Sequence, residues 1–449
     1  MRMPLTTVVG LVTSGVVVVI MQHVMTGLEM TSEGSIAGER WRAGEEEGAA
    51  AEHASVSVSA VKADHALLQY LHAFDEQTHG RGMPSGGVST LSPHPSDTRY
   101  DKHACVPCDD ATLTRHRPHA YILGAEKSGS SALHQYMAAY HPFVTNSMEE
   151  SYVLNYRYEG RKGGARNWKE GSIRQCDILR LYQRWSIQAG VEYGGEKVDV
   201  MWKGKRYTVP MYIDKTPIYL YHAQTIPQRL LCVDPHAKMI VVLRNPVDRA
   251  YSHYAMALRM FKGEESSDQI GDGWFRSDAR MANGSFPSFE QEIVAEKKRL
   301  RQAGLFDRNM TGRADESPAR ERDESKRYLR QGIYDIQLRQ WFAVLRDHFG
   351  PDKMMDHILI MESEANRENK QGAYDRVLDF LDLPPHDLSQ GGTRGFWDAN
   401  AYAYEKPMSA ETREDLEAFF RPHNARLHEL LSPLGVEISW AKRAHQEIS

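Results

Sequence analysis

Hydrophobic positions along the chain fall into short unbroken blocks and longer stripes of helical period. The blocks are AYILG (120–124), MYID (211–214) and KMIVVLR (238–244), each the length of a buried strand. After the first block, Ala132, Leu133, Tyr136, Met137 and Tyr140 recur at helical spacing, and after the third a helix is expected from near Val247. YDIQLRQWFAVLRDHF (334–349) and ETREDLEAFFRPHNARLHELL (411–431) carry the same period, the second stopping near Gly435. Strand blocks alternating with helical stripes predict an α/β fold, a central, mostly parallel sheet flanked by helices.

Polar stretches bound that unit. From residue 29 to 118 runs such as GEEEGAAAEHASVSVSA bury too little apolar surface to offset the entropy of ordering, so a flexible stem is expected, with a short helix near Val61–Phe74. A folded domain is expected over 119–449, interrupted at about 261–327 by a polar insertion around one helix, SFEQEIVAEKKRLRQ. Before the stem, Leu5–Met21 has no charged residue and is flanked by Arg2 and Glu29. That length suits a membrane span, and no A-x-A site follows it, so residues 1–28 are expected to be an uncleaved signal-anchor with a cytoplasmic N-terminus. A cleaved signal peptide is the alternative.

Composition narrows the partners. With 449 residues, 41% hydrophobic, the chain can bury a sizeable core, and a net charge of −5 speaks against a general nucleic-acid-binding surface. Any anion must therefore be bound locally. Beyond the anchor the chain is expected to be lumenal or extracellular, which fits acceptor sequons at Asn283 and Asn309. The four cysteines, Cys105, Cys108, Cys176 and Cys232, are either two disulfides in one of three connectivities or buried thiols. The lone CVPC pair has no second pair and no His-x-x-x-His partner, so no metal is expected.

The candidate chemistry begins at GAEKSGSSAL, between the first strand and its helix. A glycine and serine loop there exposes backbone N–H groups where the helix dipole also favours an anion. Lys127 adds charge, and Ser128, Ser130 and Ser131 add hydroxyl donors around Gly129 and Ala132. The lysine precedes the second glycine, unlike a Walker A loop, and alone the stretch is equally a serine-rich turn. The second element is KMIVVLRNPVDRAYSHY: Arg244 ends a strand at the edge where open α/β sheets bind ligands, and Ser252 lies about two turns into the next helix. Two anion sites on one edge imply a bisphosphorylated nucleotide.

Together LGAEKSGSSAL and RNPVDRAYSHY resemble the 5'-phosphosulfate loop and the 3'-phosphate element of sulfotransferases. YIDKTPIYLY, YLRQGIYDIQLRQW and VLDFLDLP are similar to segments of the Golgi carbohydrate type, especially the heparan sulfate enzymes. The resemblance covers about His119 to Gly435 and implies a P-loop-like sulfotransferase fold, with 3'-phosphoadenosine 5'-phosphosulfate as donor. It also implies sulfuryl transfer to a hydroxyl or amino group of a carbohydrate, and a Golgi membrane location with the catalytic domain lumenal. Residue by residue, it implies that Lys127 stabilises the leaving oxygen and that Arg244 and Ser252 hold the 3'-phosphate. Lys215 would lie near donor and acceptor, with Asp214 as its acidic partner.

The catalytic base is expected in NSMEESYVL, at Glu150, with Glu149 as the alternative; Tyr152 stands where relatives usually carry histidine. YEKPMS, with Tyr404 and Lys406, loosely matches the lid segment, without the family's local disulfide. Arg157, Arg161, Lys162, Arg166, Lys169 and Arg174 crowd the stretch after the base, beside Tyr156, Tyr158 and Trp168. An anionic polysaccharide would suit that stretch, and a solvated basic loop is the alternative. A tyrosylprotein or small-molecule sulfotransferase, and a non-catalytic nucleotide- or glycan-binding protein, are the competing functions. A kinase lacks its Walker A loop and magnesium aspartate here.

Overall fold

The structure is a computed structural model describing residues 104–145, 150–157, 172–188, 198–209, 211–264, 285–302, 327–391 and 407–449. The expected anchor, most of the stem, Glu149, the stretch 158–171, both sequons' asparagines, Tyr404 and Lys406 lie outside the described residues. Among the described residues no helix is long and apolar enough to cross a membrane.

In chain order the elements begin with β1 (Ala104–Val106) and α1 (Ala111–Thr114). β2 (Ala120–Gly124) leads into α2 (Ser130–Tyr140), and β3 (Ser172–Arg174) into α3 (Gln175–Gln188). A hairpin of β4 (Val198–Trp202) and β5 (Lys205–Val209) precedes β6 (Ile213–Lys215) and α4 (Ile226–Val233). β7 (Met239–Leu243) feeds α5 (Pro246–Lys262), followed by α6 (Phe289–Gln302) and α7 (Tyr334–Phe349). The chain closes with β8 (Ile358–Glu362), α8 (Ser363–Glu368), α9 (Lys370–Phe380), α10 (Ala410–Leu431) and α11 (Ser439–Ile448).

The central sheet has the order β6-β2-β7-β8, and every neighbouring pair is parallel. The expected α/β architecture is therefore present. Strand alternation divides its side chains between two cores. Tyr121, Leu123, Met239, Val241, Leu243, Ile358 and Ile360 face one core with α3, α4, α7 and α10. Ala120, Ile122, Ile240, Val242 and Met361 face the other, with α2 and α9. Both faces are covered, which is why these strands read as unbroken apolar blocks.

Three expectations shift. The second strand runs from Ile213 to Lys215, one residue beyond MYID, and Met211 makes only a bridge to Val144. Lys215 consequently ends the strand instead of following it. β8 and the β4–β5 hairpin were not anticipated, although ILIME has the composition of a buried strand. Residues 104–118, assigned to the stem by composition, belong to the folded unit. β1 pairs in parallel with β3, and disulfides Cys105–Cys232 and Cys108–Cys176 bind the segment to α4 and α3. Covalent links hold in place a segment whose own apolar surface is too small to do so.

Candidate active site

Because the sheet is parallel, the C-terminal ends of its strands share one edge. The register sets Lys215 beside Ile122 and Gly124 beside Val241, so the segments after β6, β2 and β7 emerge together. Gly124 is required there: a Cβ would lie 2.5 Å from the Pro217 carbonyl oxygen and 2.8 Å from Leu220 Cβ.

The loop after β2 turns through two left-handed residues, Lys127 at φ 66 and Gly129 at φ 91. Ser128 N–H donates to the Ala125 carbonyl at 3.2 Å, closing the turn. Gly129 caps α2 without a side-chain hydrogen bond, which leaves the first-turn N–H groups of Ser130, Ser131 and Ala132 directed at the loop's concave side. The donor set fits a phosphate: backbone N–H groups at a helix start, serine hydroxyls and one lysine.

Arg244 joins this loop to the next strand. Its Nη1 donates to the Lys127 carbonyl at 3.1 Å, while Tyr334 hydroxyl donates to the Arg244 carbonyl at 3.1 Å. Asn245 then caps α5 by accepting from Val247 N–H at 3.0 Å, and its own N–H donates to Glu364 at 3.0 Å. On α5, Met256 Sδ accepts from Lys127 Nζ at 3.3 Å. Ser252 lies one turn earlier on the same helix face, so it shares the side that fronts the loop.

Two neighbours of the loop are structural. Arg249 is fully buried and donates to Gln331 Oε1 at 3.0 Å and to the Tyr328 carbonyl. His253 Nε2 lies 3.9 Å from Glu126 Oε1, yet burial, then Arg249 and Lys127, push its pKa well below the usual histidine range. That shift favours the neutral imidazole, whose ring packs edge-on against Tyr328.

The third component comes from β6. Lys215 Nζ donates to Glu150 Oε1 at 3.0 Å and lies 3.4 Å from Ser131 Oγ. Lys215 therefore links the expected base to the start of α2. Glu150 also accepts from the Tyr152 hydroxyl at its other oxygen. Asp214 does not take the role expected of it as the acidic partner of Lys215. As the adjacent strand residue it points to the opposite face, where Ser151, Tyr182 and Thr216 hydroxyls each donate to it at 2.7 Å and Tyr219 at 3.2 Å. Burial raises its pKa, while those donors oppose the shift. The knot supports the backbone that carries Glu150.

Lys127, residues 128–132, Arg244, Lys215 and Glu150 thus meet at one sheet edge, and Arg174 stands apart on β3, exposed. Met256 was missed although within reach, being four residues beyond Ser252 on a helix, and Tyr152 was noted only as standing where relatives usually carry histidine, with no role in the site. Among the described residues no cluster of three or more His, Cys, Asp or Glu is placed to hold a metal.

Residues 118–293 match the Sulfotransferase family. Bifunctional heparan sulfate N-deacetylase/N-sulfotransferase 3 from Homo sapiens is 23% identical over 372 residues, covering 76% of this chain and 34% of the relative. Carbohydrate sulfotransferase 15 from Homo sapiens is 24% identical over 332 residues, covering 70% of this chain and 53% of the relative. The chain matches about a third of the length of the bifunctional relatives. A solved sulfotransferase from Alicyclobacillus acidocaldarius aligns over 73% of this chain and 99% of its own, with 20% identity and a TM-score of 0.42.

Proposed function

We propose, from the premise that residues 118–293 are a domain of the sulfotransferase family, that this protein transfers a sulfuryl group to a carbohydrate acceptor. The donor is 3'-phosphoadenosine 5'-phosphosulfate, which supplies the sulfuryl group on a bridging oxygen. The observation that carries this reading is the meeting of an anion-binding loop with the Glu150–Lys215 pair at one sheet edge. Both similar human proteins are named for sulfotransfer on heparan sulfate or carbohydrate.

In this reading the N–H groups from Gly129 to Ala132 and the hydroxyls of Ser128, Ser130 and Ser131 bind the 5'-phosphate. Lys127 stabilises the charge that grows on the leaving oxygen, and Arg244 with Ser252 holds the 3'-phosphate. Glu150 takes the proton of the attacking hydroxyl or amine, and Lys215 keeps the carboxylate beside the reacting group. No residue needs a metal for this transfer. Leu5–Met21 would anchor the chain in a Golgi membrane with residues 29 onward in the lumen, a compartment in which two disulfides persist.

The test is label transfer from radioactive donor by the purified full-length protein to native and desulfated glycosaminoglycans, a tyrosine peptide and a simple phenol. Label on a polysaccharide is expected. Label only on the peptide or phenol would overturn the acceptor class, and failure to bind 3'-phosphoadenosine 5'-phosphate would overturn the donor site.

A further inference from the structure

The Glu150 carboxylate is gripped at both oxygens. Lys215 Nζ lies 3.0 Å from Oε1, and the Tyr152 hydroxyl donates to Oε2. A lysine is a point charge on a flexible stem and attracts a carboxylate without orienting its plane. A second, directed donor from a rigid ring does orient it.

The chain is built to deliver that donor. Tyr152 has φ 48, a left-handed conformation that a bulky residue holds only where its surroundings impose it. Thr216 Oγ1 accepts from Ser151 N–H at 3.1 Å and from Tyr152 N–H at 3.4 Å. Val153 N–H donates to Ser151 Oγ at 3.3 Å, and Leu154 N–H to Tyr219 hydroxyl oxygen at 3.0 Å. Ser151, Thr216 and Tyr219 are in turn fixed on buried Asp214. The resulting reversal brings the Tyr152 ring back over residue 150. Burial, then the charge of Glu150, push the Tyr152 hydroxyl well above the usual tyrosine range, so it remains a donor throughout the physiological range.

We propose that Tyr152 is a positioning residue for sulfuryl transfer, holding the Glu150 carboxylate in the one orientation from which it accepts the acceptor's proton. Each carboxylate oxygen has a second lone-pair site, and these are what the Tyr152 and Lys215 contacts leave for the proton. The inference rests on Glu150 being the base. It extends the site by a residue whose hydroxyl is bonded to the carboxylate.

The experiment compares full-length Tyr152→Phe, Tyr152→His and Glu150→Ala with the unaltered protein, using the acceptor that takes label in the panel above. Tyr152→Phe keeps the ring and removes only the hydroxyl. Its kcat is expected to fall about tenfold or more, the worth of a hydrogen bond to a charged group. Its donor KM, its affinity for 3'-phosphoadenosine 5'-phosphate and its melting temperature should stay unchanged. Tyr152→His offers an N–H and tolerates left-handed backbone, so it should recover part of the loss. A Tyr152→Phe kcat within about twofold of the unaltered protein, beside an inactive Glu150→Ala, would overturn the proposal and leave the base standing. So would a loss of kcat matched by losses of nucleotide affinity and melting temperature, the mark of a merely structural hydroxyl. An active Glu150→Ala would instead remove the base, and the proposal with it.

Discussion

Lys127 is constrained along its whole length. Its backbone is left-handed at φ 66, its carbonyl accepts from Arg244 and its ammonium donates to Met256. A thioether is a weak acceptor, so an incoming phosphosulfate oxygen would readily displace it. Lys127→Ala should lower kcat by about 10²–10³-fold, the cost of losing one preorganised charge donor, with melting temperature unchanged; single-turnover label transfer reads it. Arg244→Ala has a different expected signature, because it removes the proposed 3'-phosphate ligand and releases the Lys127 carbonyl together. Calorimetry should show 3'-phosphoadenosine 5'-phosphate bound at least about tenfold more weakly, and unchanged affinity would remove Arg244 from the donor site. Lys127 and Arg244 were legible because strand, loop and helix are local patterns. Asp214 was misread because two of its hydroxyl partners, Ser151 and Tyr182, come from segments 63 and 32 residues away, and nothing in its own stretch shows which face its carboxylate takes.

At the scale of elements, α6 shows how a polar insertion is made part of the fold. Phe289, Ile293 and Leu300 bury one stripe against α5 and α10. Glu296 reaches across to accept from Leu329 and Arg330 N–H groups, both at 2.9 Å. That turn carries Gln331, which holds Arg249 of α5. Burial raises the Glu296 pKa from 4.5 to about 7 against the opposing N–H bonds of Arg330 and Leu329, and the charges of Arg299 and Arg249. A folded-state value above the unfolded one means that its contribution to stability is full at low pH and is lost as pH rises toward 7. The span of that loss is roughly 3 kcal/mol. Urea midpoints at about pH 5 and pH 8 should show the fall in the unaltered protein and a flatter response in Glu296→Gln; equal slopes would discount the group. The helix itself was readable from its period. Its attachment was not, because a buried glutamate and an exposed one look alike in sequence.

At the scale of the molecule, the disulfides tie residues 104–118 to the rest of the described domain. Cys105–Cys232 closes a separation of 127 residues and Cys108–Cys176 one of 68. Together they fasten residues 104–118, where only Leu113, His116 and Pro118 are buried among the described side chains. Replacing the Cys108 and Cys176 pair by serine should cost about 2–5 kcal/mol of unfolding free energy, read as a lower denaturant midpoint. An unchanged midpoint would mean that β1 and β3 hold this edge without the crosslink.

The sequence by itself determined the layered α/β plan, since two-faced burial forces apolar strand blocks and one-faced burial forces helical stripes. It also marked the glycine and serine loop, whose chemistry is local, and Glu150, Lys215 and Arg244 as candidates. Only the tertiary structure decided which side chains meet. It paired Lys215 with Glu150, turned Asp214 to the opposite face, chose one disulfide pattern from three and brought Tyr152 onto the carboxylate. The physical reason is separation along the chain: these contacts join residues dozens of positions apart, except Tyr152, whose two-residue reach depends on a backbone reversal imposed by distant hydroxyls.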